Sequence, residues 1–196
     1  MACDARPVMV DRQASKDLFG RPARQRRPRY EATLEKADKR MLSERAARAR
    51  WLAEIIPKST YFAMPTETFY VLDETTSSFI YGNFVAVILL ATSFVEHWFT
   101  AHLSARGYEK DASRGLSASI QTARSQKLVE TLILDKADRL RLIRNPFVHL
   151  KPFEHEHNLG SRSLRLGAHP KAILEQDAKD AIIALYAVAV HAFGRS

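Results

Sequence analysis

One cysteine, Cys3, stands in a chain of 196 residues. A single thiol excludes an intramolecular disulfide framework and fits a reducing compartment. Clustered cysteines and the HExxH pattern are also missing, and with them the usual ligand spacings of zinc sites. There is no Walker loop and no GxGxxG, so phosphate-cradling nucleotide chemistry has no foundation here. The opening MACDARPVMV carries acids and lacks an apolar stretch of signal-peptide length, which argues against secretion. The longest apolar run, Phe84 to Val95, is too short to span a bilayer and is followed by Glu96 and His97. These absences lead to the expectation of a soluble, cytoplasmic protein with no cofactor and no membrane partner.

What is present begins with charge. The net charge is +8, but residues 1–50 hold 14 Lys/Arg against 7 Asp/Glu, while residues 51–196 hold 16 against 15. The basic character therefore belongs to the N-terminal arm. Arg21, Arg24, Arg26, Arg27 and Arg29 follow one another with no acid among them, and Pro22 and Pro28 favour an extended course. Such an arm can track a phosphate backbone with salt-sensitive, sequence-blind affinity. The alternative is a solvated leader with no ligand.

Apolar residues make up 46% of the chain, enough for a core. Their periodicity is helical. A first helix is expected from Glu31 to Ile56, with Leu34, Met41, Leu42, Ala49, Leu52, Ile55 and Ile56 near one face and Pro57 closing it. Residues 57–77 read as an aromatic, Thr-rich connection in which Tyr61, Phe62, Phe69, Tyr70 and Val71 cover part of the core, with room for a short strand pair. A long, nearly all-apolar helix from Ser78 to Arg106 reads as the central one. Further helices are expected over Ser117–Leu128, from Asp135 through the run RNPFVH, and from Pro170 to Phe193, with residues 151–169 as a loop. The expected architecture is all-α: an up-and-down bundle of four to five helices over residues 31–196, preceded by a basic, extended arm over residues 1–30.

The chemistry-bearing segment is LRLIRNPFVHL, which sets Arg144 and His149 on one short stretch. A guanidinium that neutralises phosphate charge and an imidazole that moves a proton can together cleave RNA without a metal. On a helical wheel Leu140, Ile143, Phe147 and Leu150 fall within about 80°, a core stripe. Arg144, Val148, Arg141, Asn145 and His149 spread over an adjoining arc of about 140° that the protomer's own core does not need. Pro146 removes a helical donor and predicts a local kink.

This pattern resembles the HEPN superfamily of small helical-bundle proteins, whose signature is an Arg, a polar residue and a His four to six positions on. Arg144, Asn145 and His149 stand in those places with R-x4-H spacing, and the resemblance covers roughly residues 78–193. It implies a two-fold homodimer with signature helices facing each other around a composite cleft. Catalytic members are metal-independent endoribonucleases. On that pattern His149 acts as general base or acid, a task suited to a side chain that ordinarily titrates near pH about 6.5. Arg144 stabilises the charge on the phosphoryl group, and Asn145 orients a phosphate oxygen or a neighbour. Apart from the resemblance, which leaves the N-terminal arm out, Arg141 and the arm arginines are the expected RNA contacts. A toxin or defence effector, with an antitoxin protein as a further partner, is the corresponding biological class.

Glu96 has two readings: it aims Arg144 into the cleft, or it forms a plain structural ion pair or lies exposed near the helix end. The HEH run, His155 and His157 with Glu154, Glu156 and His169 nearby, lacks the usual metal-site spacing and reads as a loop that is solvated or near enough to the cleft to touch RNA. His97, His102 and His191 read as core-edge residues, and Trp51 and Trp98 as packing. Two other functions compete with the ribonuclease: a non-catalytic helical module that keeps the dimer face, and an arm-driven nucleic-acid binder with an inert body.

Overall fold

The structure, a computed structural model, describes residues 27–57, 61–62 and 64–195. Eight helices occur among them: α1 (Arg27–Ile55), α2 (Thr66–Tyr81), α3 (Phe84–Ser104), α4 (Glu109–Ala112), α5 (Leu116–Ser125), α6 (Thr131–Val148), α7 (Leu159–Leu166) and α8 (Pro170–Phe193). The fold is an all-α bundle, as the periodicity predicts, with more helices than the expected four to five. A two-residue pairing joins β1 (Tyr61–Phe62) to β2 (Gly194–Arg195), in register Tyr61↔Arg195 and Phe62↔Gly194.

The chain forms two compact units, Met1–Glu44 and Arg45–Ser196. Within the first, α1 begins at Arg27 instead of Glu31, so Arg27 and Arg29 stand on a helix and not on an extended arm. Pro28 is tolerated there because the first-turn N–H groups have no intrahelical acceptor. Arg21, Arg24 and Arg26 lie outside the described residues. The expected core stripe divides at the same boundary. Leu34, Met41 and Leu42 are exposed, whereas Leu52 is buried and Ile55 and Ile56 pack on the core. Among the described residues of the first unit α1 is the only element, and it has no second layer there in which to bury its own stripe.

In the second unit α3 is the hub, packed against α2, α8, α6, α5 and α4. Its buried face reads Phe84, Val87, Ile88, Ala91, Phe94, Val95, Trp98, Phe99 and Leu103, the three-and-four spacing of a helix held on several sides. Of the described helices, α3 alone is long and apolar enough to cross a bilayer, although the apolar run within it is shorter; half of that span is buried inside the bundle. The core is completed by Ile173, Ala178, Ile182, Leu185, Val188 and Ala189 of α8 and by Leu134, Leu140 and Ile143 of α6.

The expected Ser78–Arg106 helix is two helices. Gly82 takes a left-handed conformation (φ 81°), and its N–H donates to Phe79 O while Asn83 N–H donates to Ser78 O. These two bonds form the reversal that ends α2. Arg48, only 3% exposed, seals the same terminus: its Nη1 donates to Ile80 O at 2.7 Å, and its guanidinium lies 5.3 Å from the Phe84 ring centroid. Much of the supposed 57–77 connection is α2, and its Phe69 and Tyr70 are exposed instead of covering the core, although Val71 does pack on it. The side chains of Tyr61 and Phe62 lie outside the described part. The supposed loop 151–169 contains α7, opened by Asn158, whose Oδ1 accepts from Gly160 N–H at 2.9 Å.

Candidate functional site

Ile143 and Phe147 turn inward from the last two turns of α6, Ile143 into the core and Phe147 against its edge, leaving Arg144 and Asn145 at the margin. On α3, Glu96 occupies the corresponding margin between buried Val95 and Trp98. The two elements pack together, and Arg144 Nη2 lies 3.7 Å from Glu96 Oε2, with side-chain exposures of 24% and 31%. Glu96 is doubly employed. Its Oε1 accepts from the N–H of Leu116 at 3.2 Å, the first residue of α5, where a carboxylate complements the helix dipole. Gly115 precedes that helix with φ 88° and brings its backbone close to the same oxygen, which would sit 3.6 Å from a Cβ at position 115. Asn145 Oδ1 lies 3.5 Å from Arg144 Nη1. The carboxylate thus faces the guanidinium on one side, and Asn145 approaches it on the other.

His149 is placed differently. The helix stops at Val148, so His149 is its C-cap on extended backbone (φ −132°, ψ 124°), with its N–H donated to Asn145 O at 2.9 Å. Its side chain is exposed and has no hydrogen-bond or ion-pair partner among the described residues. Leu150 is correspondingly 101% exposed and not part of the core stripe. The cause is Pro146, which cannot donate to the carbonyl of Leu142 and lies in the final turn, where it helps end α6. Val148 and Leu150, the chain neighbours of His149, are exposed apolar residues, as is Phe153.

The remaining sequence candidates separate from this group. Arg141 is turned to Asp138, its Nε donating to Oδ1 at 2.8 Å. His155 and His157 have ring centroids 5.7 Å apart and are tied into local turns, His155 Nδ1 accepting from His157 N–H at 3.2 Å. Among the described residues no three His, Cys, Asp or Glu side chains converge as metal ligands would. Trp98 is buried and lies between His102 (4.6 Å) and His191 (5.6 Å). Burial pushes the His102 imidazole below its ordinary value, reinforced by Arg106 and His191 and opposed by a bond to the Leu128 backbone.

One strong polar pair escaped sequence reasoning. Arg162 of α7 makes two bonds to Asp177 of α8, Nη1 to Oδ2 at 2.5 Å and Nη2 to Oδ1 at 2.7 Å, and Asp177 is 1% exposed. Its sequence signal is a carboxylate spaced four residues from Ile173 and from Ala181 on the inward face of α8, which demands a cation. Compared with family models, curated proteins and solved structures, the chain matches none.

Proposed function

We propose that the bundle is a metal-independent endoribonuclease of HEPN type, active in the cytosol as a two-fold dimer. The observation that carries this reading is the Glu96–Arg144–Asn145 group, a guanidinium held from one side by a carboxylate, five residues from an imidazole that no described group engages. In the proposed reaction His149 takes the proton of a ribose 2′-OH as its oxygen attacks phosphorus. The P–O5′ bond breaks, and a proton passes to O5′ from the imidazolium of the facing protomer. Arg144 offsets the charge that builds on the non-bridging oxygens. The products are a 2′,3′-cyclic phosphate and a 5′-hydroxyl. The exposed apolar residues Val148, Leu150 and Phe153 support a second copy as the covering surface. A toxin or defence role, with an antitoxin as partner, follows from this class.

A mixed tRNA and mRNA pool incubated with the protein in EDTA tests the reading. Arg144→Ala and His149→Ala should each lower cleavage by about 10²-fold or more. Equal cleavage by parent and variants ends it. The pairing of Arg144 with Glu96 also favours a second reading, a non-catalytic dimer module in which that ion pair is only structural. The module predicts a dimer by sedimentation and no cleavage by the wild type.

A further inference from the structure

From Val148 to Ala172 no residue is buried. A segment of that length with no apolar anchor has little hydrophobic hold on the body. It is nonetheless knit to itself. His155 N–H donates to Pro152 O, Asn158 N–H to His155 O, and Arg165 Nη2 to Glu156 O. The Phe153 ring lies so close over Gly160 that a Cβ there would sit 2.9 Å from its Cε2. Residues 149–168, with α7 inside them, therefore form one strap.

We infer that the Arg162–Asp177 ion pair is the latch of this strap and that Arg162 is a positioning residue for His149. Among the described residues it is the only side-chain ion pair or hydrogen bond from residues 148–168 to the rest of the body. Its strength comes from place: Asp177 is 1% exposed, and a carboxylate so buried is stable only while its bidentate partner stays. His149 begins the strap on extended backbone, so its direction is fixed at one end by α6 and at the other by the latch. With the latch open, His149 is held only from the α6 side, by its N–H bond to Asn145 O, and the backbone that follows it is free to swing the imidazole relative to Arg144. This role in catalysis rests on the ribonuclease reading; the mechanical role does not.

Segment-resolved amide hydrogen exchange on the full chain tests the latch, with RNA cleavage measured in parallel. Arg162→Ala should speed exchange across residues 149–168 by about a hundredfold, with α3 and α8 still protected. Because that variant strands a buried carboxylate, Arg162→Ala combined with Asp177→Asn serves as the second variant and should release the same segment. On the ribonuclease reading kcat falls by about 10²-fold with KM little changed, and Arg162→Lys recovers part of the loss. Unchanged exchange in the strap, or equal loss of protection throughout α8, overturns the latch. A loosened strap with unaltered kcat overturns the positioning role. If the wild type cleaves no RNA, the ribonuclease reading falls, while the exchange pattern still decides the latch.

Discussion

Replacing Glu96 separates its two tasks. Glu96→Gln keeps an oxygen to accept from Leu116 N–H but removes the charge that faces Arg144. Glu96→Ala removes both. The ion pair spans 3.7 Å between groups exposed by 24% and 31%, so solvent screening leaves it about 0.5 kcal/mol. Acceptance from the first N–H of α5, at 3.2 Å, adds about 1 kcal/mol, the usual worth of an N-terminal helix acceptor. Urea denaturation should therefore show Glu96→Gln less stable by about 0.5 kcal/mol and Glu96→Ala by about 1.5 kcal/mol. A double-mutant cycle with Arg144→Gln should return a coupling near the smaller figure. If Glu96→Gln costs as much as Glu96→Ala, the bond to α5 contributes nothing. If the cycle returns zero, Arg144 is not held by Glu96, and the orientation of the guanidinium needs another cause.

Arg48→Ala should cost about 3 kcal/mol in the same denaturation, since it removes a charged bond to Ile80 O and the packed stem of a buried side chain; a loss below about 1 kcal/mol contradicts its capping role. His102 supplies the pH dependence. Its folded pKa lies below its unfolded value, so the unfolded chain binds the proton first: stability is full above about pH 6.5 and falls as pH drops below it, levelling once the folded imidazole also protonates. Denaturation midpoints at neutral and mildly acidic pH should diverge for the wild type and converge for His102→Phe, and equal divergence in both refutes the assignment.

How far the sequence could be read depended on whether local signals and packing agreed. α8 runs from Pro170 to Phe193 as the pattern predicts, because proline at the first position and a steady apolar period point the same way. The α2–α3 break was hidden because apolar residues continue on both sides of Gly82-Asn83, and only the left-handed glycine reveals the reversal. The stripe on α1 has a helical period throughout, yet periodicity does not tell whether a partner layer exists, and Leu34 and Met41 are exposed. At the site, the pairing of Glu96 with Arg144 was one of two sequence readings, since a carboxylate on an apolar helix calls for a cation. The position of His149 beyond the helix end was not legible, because the wheel carried the helix past a proline that helps end it. For the Arg162–Asp177 pair the inward carboxylate on α8 is legible in the sequence, but the cation that meets it, 15 residues away, shows only in three dimensions.

The central claim is that Arg144 and His149 cleave RNA by proton transfer and charge stabilisation alone. End-group analysis of RNA cut in EDTA tests it most directly. The account predicts 2′,3′-cyclic phosphate and 5′-hydroxyl ends from the wild type, and their loss in a His149→Ala protein that remains folded and dimeric. Cleavage that needs an added divalent metal, or that persists with the same ends in His149→Ala, contradicts it.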